Sequence, residues 1–331
     1  MSTTVTPTTA PTPNPTPAAA DATRTRRSGV GSRLHGLLGA VPTAVLWVLV
    51  LLWTLPSLGL FVSSFRSQTA VKTTGWWTVV SDPQLTLESY RTVFSSSTSD
   101  APDMWQHFMN SVAIAVPATV IPIAIAAFAA YAFAWMDFPG RHWLFVATVA
   151  MLAVPFQMSL IPLLQLYVNG AHLTVLGETF TLLPDLDLQG TITAVWLTHI
   201  GFGLPLAIFL LHNYMASLPR DVFEAARIDG ADHPTIFWRL VVPLSVPALA
   251  AFAIFQFLWV WNDYLVARTF LSIGSEDAPM TVRLATLSGS RGQDWHLLTA
   301  AAFVSIAVPL AVFFALQRYF VRGLLAGSVK G

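Results

Sequence analysis

Six polar or aromatic residues stand in apolar surroundings where they could handle a ligand. Gln256, Trp259, Trp261, Asn262 and Asp263 fall within one eight-residue stretch, QFLWVWND, and Gln157 lies between Pro155 and Pro162. Indole faces pack on the C–H faces of a sugar ring, while amide and carboxylate groups pair with its hydroxyls, so this set suits a carbohydrate path. Polar groups deep in a membrane need partners or water, which makes them functional candidates. The same residue types also serve as interfacial anchors, and Asn262-Asp263 could cap or pair helices instead. Enzymatic chemistry is not suggested. Asp263 has no second acid at comparable depth, and G-x-x-x-x-G-K-[ST], H-E-x-x-H and G-x-S-x-G are all missing. His199 and His212 have no second ligand at metal spacing and are expected to pack helices, so no metal is expected.

The elements that position these residues must be membrane spans. Of the 331 residues 54% are hydrophobic and 10% are charged, far below the roughly 25% charge of soluble domains, and the mean hydropathy is +0.61. Formal net charge is zero and no basic stripe with interleaved aromatics occurs, so no nucleic-acid partner is expected. Without any cysteine, disulfides and thiolate chemistry are excluded.

Residues 1–38 are expected to form a disordered tail, because the Thr- and Pro-rich start has few large apolar side chains. From residue 39 to 331 the chain reads as an all-α polytopic domain with six transmembrane helices. The uncharged runs are Val41 to Val62, Phe108 to Met136, Trp143 to Val168, Thr191 to Leu211, Leu244 to Asn262 and Leu297 to Gln317. Each is of the order needed to cross about 30 Å of hydrocarbon at about 1.5 Å per residue. Prolines such as Pro155, Pro205 and Pro247 should kink their helices, which favours a bundle with an internal path. With the N-terminus inside, eleven Lys and Arg residues fall on the inner segments and six on the outer ones. The positive-inside rule therefore places both termini in the cytoplasm.

The longest charged segment between two apolar runs, residues 218–243 (LPRDVFEAARIDGADHPTIFWRLVVP), falls inside by the same rule. It reads as two short helices. Pro219 suits a first helical turn, Gly230 suits a helix C-terminus that needs positive φ, Asp232 can cap the second helix, and Pro243 should end it. Glu224-Ala225-Ala226, Gly230 four positions after Ala226, then nine residues and Leu240-x-Val242-Pro243 resemble the EAA loop of ABC-importer permeases. Leu240 and Val242 depart from that pattern conservatively. Gly201 to Ala231, Phe255 to Ala267 and the tail Leu316 to Gly331 are similar to carbohydrate permeases of the maltose type, most of all to those for alpha-glucosides.

The resemblance implies a type I importer fold in a prokaryotic cell membrane and a set of partners. These are a second, non-identical permease, two ATPase subunits and an extracytoplasmic solute-binding protein, with carbohydrate as the substrate and a polyol or glycosylated osmolyte as the alternative. No cofactor is implied in this chain, while ATP and Mg would belong to the ATPase. The resemblance gives coupling roles to Glu224, Ala225, Ala226, Asp229, Gly230 and Pro243. By position, Ser288, Gly289, Ser290 and Arg291, between the last two spans, would contact the binding protein.

Overall fold

The structure is a computed structural model that describes residues 31–94, 104–175, 178–271, 274–288 and 294–328. The chain divides into two compact units, Met1–Gly59 and Leu60–Gly331, and both sites described below lie in the second. In order the elements are α1 (Gly31–Ser64), α2 (Gln68–Thr73), a 3₁₀ turn (Trp76–Val80), α3 (Glu88–Phe94), α4 (Met104–Trp135), α5 (Arg141–Ala150) and α6 (Phe156–Asn169). The strands β1 (Ala171–Val175) and β2 (Glu178–Leu183) follow, then α7 (Ile192–Ala216), α8 (Arg220–Ile228), α9 (His233–Ile236), α10 (Val242–Trp261), α11 (Leu265–Phe270), α12 (Met280–Ser288) and α13 (Trp295–Ser328).

Five helical segments among the described residues are long and apolar enough to span a membrane, and the bent pair α5–α6 makes a sixth if counted as one span. The expected all-helical, multi-span class holds, with two local departures. Residues 31–38, assigned above to the tail, are helical, with Leu34, Leu37 and Leu38 at helical spacing ahead of the apolar run. The segment after α6 forms an antiparallel hairpin, because His172-Leu-Thr-Val175 and Thr179-Phe-Thr-Leu182 alternate polar and apolar side chains.

The expected third span is broken rather than kinked, its halves meeting at 105°. Val154 has ψ 117°, where the ring of the following Pro155 drives it out of the helical region. Pro155 has ψ 120° and heads the next helix. Met151 to Val154 are exposed at the resulting elbow.

α4 packs along α7, and α10 crosses α4, α7 and α13. Small residues permit the close approach: Ala115, Ala118, Ala126 and Ala130 on α4 and Ala194 and Ala207 on α7 are fully buried. Two apolar clusters result. One gathers Ile114, Val195, Val260, Trp261 and Phe270. The other gathers Ala130, Tyr131, Leu211, Met215, Phe223 and Phe237 at the end of the bundle that carries α8.

Candidate functional site

At the α8 end the backbone explains the spacing of the motif. Arg220–Ile228 forms a helix with Asp221 in its first turn and Arg227 in its last, both favourable to the helix dipole. It closes with Ala231 N donating to Ala226 O (2.9 Å) and Gly230 N donating to Arg227 O (3.0 Å). That is the Schellman pattern, in which Ala226 and Gly230 must be four residues apart and Gly230 must adopt positive φ. Gly230 has φ 82°, and nothing lies within 4 Å of where a Cβ would sit, so backbone conformation rather than space requires glycine. Pro219 stands at the N-cap position, just outside the first turn, and makes no capping hydrogen bond.

Asp232 starts the second helix as expected, accepting Thr235 N at 2.9 Å. Hydrogen bonds from the Thr235 side chain and backbone hold the Asp232 carboxyl below its ordinary range. Pro243 does not end that helix. The chain continues through a π turn at Phe237–Val241 directly into α10, with Val242 N bonded to Phe237 O. Proline has no N–H for the carbonyl four residues back and its ring crowds that carbonyl, so the helix widens by one residue and runs on.

This knob is fixed to the bundle by aromatic contacts. Phe223, the buried residue of α8, stacks on Trp135 at the end of α4 with ring centroids 3.8 Å apart and planes at 17°. The Trp135 indole N–H donates to Met215 O of α7 (3.1 Å), and an Arg227 N–H donates to Trp135 O (3.4 Å). Tyr131 shares a hydrogen bond with His233 Nδ1 (2.8 Å), and Phe237 stacks on Phe128 (4.6 Å). These contacts join α8 to both α4 and α7, and the π turn is continuous with α10. Glu224, Ala225 and Asp229 are exposed, and Glu224 has no ion-pair or hydrogen-bond partner among the described residues.

Farther along α7, a cleft of about 470 Å³ opens between the α5–α6 elbow, α7 and α10, lined by Val154, Phe156, Gly201, Gly203, Gln256 and Trp259 among others. Trp259 meets Phe156 edge to face (6.1 Å) and the His199 ring likewise (5.2 Å). Gln256 is 1% exposed, and its amide donates to Ala118 O (3.0 Å) and His199 O (3.5 Å), tying α10 to α4 and α7. A Cβ at Gly203 would stand 2.6 Å from Gln256 Nε2, so glycine there makes room for the amide.

Of the six ligand-handling candidates the structure brings Gln256 and Trp259 to this cleft. Gln157 is exposed and is not among the lining residues. Trp261 points into the core, donating to Ser305 O of α13 (3.1 Å). Asn262 donates back to Leu258 O (2.8 Å). Asp263 caps α11 by accepting Val266 N (3.3 Å) and Ala267 N (3.0 Å), and its Oδ2 lies 3.5 Å from Nε2 of the buried His199. Successive helical residues point about 100° apart, so residues adjacent in sequence cannot all face one cleft. Phe156 and Gly203 were missed as cleft residues, although a Gly-x-Gly in an apolar span signals close approach. Ser288 ends α12, and Gly289, Ser290 and Arg291 lie outside the described residues. Among the described residues no group of three His, Asp or Glu could hold a metal ion.

Residues 123–325 match the family described as "Binding-protein-dependent transport system inner membrane component". The chain is 56% identical over 283 residues to the osmoprotective compounds uptake permease protein GgtD of Synechocystis sp., a match covering 84% of this chain and 88% of that protein. It is 55% identical over 257 residues to the alpha-glucoside transport system permease protein AglG of Rhizobium meliloti, covering 77% of this chain and 63% of that protein. Its fold is similar to that of a chain in the crystal structure of a bacterial ABC transporter involved in the import of the acidic polysaccharide alginate, with TM-score 0.65, 22% identity, and coverage of 89% of this chain and all of that one.

Proposed function

The chain belongs to the family of binding-protein-dependent transport-system inner-membrane components, and we propose that it is the carbohydrate permease subunit that converts movement of a separate ATPase into opening and closing of a sugar path. The α8 knob faces the cytoplasm with both termini. Its Glu224 pairs with a basic residue of the ATPase, where ATP and Mg reside. The observation that carries this reading is the Schellman-closed helix whose one buried residue, Phe223, is stacked on α4 while Glu224 remains unpaired. A rigid knob with a free carboxylate and no catalytic group is suited to transmitting force. Closure of two ATPase subunits on ATP would move α8, and the coupled tilt of α4, α7 and α10 would switch the cleft between the two sides of the membrane.

The path would be shared with a second, non-identical permease, and an extracytoplasmic binding protein would deliver the sugar, with Ser288 to Arg291 as its contact. Within this subunit Trp259 and Phe156 offer ring faces to a sugar and Gln256 supplies the polar edge. Alpha-glucosides are the first substrate class to test, given the 55% identity to an alpha-glucoside permease. The 56% identity to a permease for osmoprotective compounds supports a second reading, uptake of a glycosylated osmolyte.

Uptake of labelled maltose, sucrose and trehalose by the reconstituted complex, in competition with polyols and non-glucoside glycosylated osmolytes, separates the two. Inhibition by alpha-glucosides at the lowest concentrations supports the first, and inhibition by the glycosylated osmolytes at the lowest concentrations supports the second. Trp259→Ala is expected to reduce maximal uptake by up to about tenfold by removing a stacking surface worth about 0.5–1.5 kcal/mol, with Trp259→Phe retaining most of it. Unchanged uptake by Trp259→Ala for every sugar would remove this cleft from the path.

A further inference from the structure

The unassigned feature of the knob is the crevice behind it. A largely polar cavity of about 310 Å³ lies between α8, the end of α7 and the α4–α5 turn, and its wall includes Asp137, Arg141, Arg220, Glu224 and Arg227. Three guanidinium groups against two carboxylates leave it formally at +1. Their partners within the chain differ. Arg141 is neutralised by Asp137 at 2.8 Å and also donates to Met136 O. Arg227 reaches only the neutral Trp135 carbonyl. Arg220 and Glu224 stand at helical i, i+4 spacing, where such a pair commonly forms, yet no ion pair joins them, and Arg220 has no hydrogen-bond partner among the described residues. The crevice thus holds two guanidinium groups and one carboxylate that form no ion pair with one another, with a net charge of +1.

We propose that this crevice is the receptor for an acidic side chain of the ATPase, so that the docking surface exchanges charge in both directions. Glu224 goes out to a cation of the ATPase, while an aspartate or glutamate of the ATPase comes in to Arg220 and Arg227. The proposal rests on the coupling role given to α8 above and specifies the chemistry of its partner. Guanidinium forks match a carboxylate bidentately, and two of them on one helix face, backed by the Trp135–Phe223 stack, hold that carboxylate in a fixed direction. Opposed charge pairs side by side also set register, because a knob rotated about its axis would bring like charges together.

The test uses the complete complex of both permeases and the ATPase, with Arg220→Glu/Arg227→Glu in this chain. Both sites are exposed, and retained association with the partner permease checks folding. ATPase affinity is expected to fall at least about tenfold at low salt with a flatter salt dependence, and to be restored by an Asp→Lys or Glu→Lys change at one surface position of the ATPase found by scanning its acidic residues. Wild-type affinity and salt slope in the double variant, while Glu224→Lys loses the ATPase, would overturn this proposal alone. If the wild-type complex holds no ATPase, the coupling reading falls and this one with it. Unchanged ATPase affinity with binding of inorganic phosphate lost in the double variant would assign the crevice to a free anion instead.

Discussion

Trp135→Ala is expected to uncouple transport from ATP hydrolysis. Its indole links three elements at once, through the 3.8 Å stack on Phe223 of α8, the N–H donated to Met215 O of α7, and its own place at the end of α4. Removing a buried aromatic costs about 3–5 kcal/mol, and the half-exposed Trp135 should fall below that range. The loss is concentrated at the joint between the knob and the bundle, so the fold survives with a loosened α8. Sugar uptake per ATP hydrolysed should drop by about tenfold or more, while the ATPase remains bound. Trp135→Phe keeps a ring for the stack and loses only the hydrogen bond, worth about 1 kcal/mol, and should retain most of the coupling. Simultaneous measurement of uptake and phosphate release in proteoliposomes decides the matter. A wild-type ratio in Trp135→Ala would mean that force enters the bundle elsewhere, the π turn into α10 being the next candidate.

Gly203→Ala has the second large effect, although it adds a single methyl. That methyl would stand 2.6 Å from Gln256 Nε2 and 2.8 Å from its Oε1, too close for the amide to stay where it is, and the space open to it is the adjoining cleft. Gln256 must leave the carbonyls of Ala118 and His199, so the ties from α10 to α4 and α7 are lost beside the cleft. A buried polar group without its partner costs about 1–3 kcal/mol. Lowered thermal stability in detergent and reduced maximal uptake should appear together. The change is expected to be non-additive with Gln256→Ala, since once the amide is gone the methyl meets little, and a coupling energy of about 0.5–3 kcal/mol should emerge from the four-member cycle. Additive losses would show that Gly203 matters for helix packing independently of Gln256.

These two positions illustrate what can be read from residues in order. The knob was legible because its rules are local. Ala226 and Gly230 are separated as a Schellman closure requires, and Asp232 is placed to cap the next helix. The broken third span was half legible: Pro155 marks the place, but a 105° bend depends on what the halves pack against. Pro243 misled because a helix can absorb a proline by widening for one turn, and only the surrounding structure selects that outcome. The cleft was least legible. A transmembrane helix is apolar toward lipid and toward its neighbours alike, so hydrophobic periodicity does not say which way Gln256, Trp259 or Trp261 points. Trp261 and Asp263 went to the core and to the start of α11, and their neighbours Gln256 and Trp259 to the cleft. Arg66 is a further case. One of the six Lys and Arg residues assigned to the outer segments, it is 3% exposed and donates to Gly75 O and to the hydroxyls of Thr74 and Thr78, bracing a loop that no motif marks.

The measurement closest to the central claim is substrate-stimulated ATP hydrolysis by the reconstituted complex, wild type against Glu224→Ala and Gly230→Pro. Glu224→Ala removes only the unpaired carboxylate. Gly230→Pro removes the N–H that donates to Arg227 O and forbids φ 82°. The coupling account predicts that each variant assembles with its partner permease but loses either the ATPase or its stimulation by sugar. Full stimulation in both variants would contradict it and return residues 218–243 to being an ordinary connection between two spans.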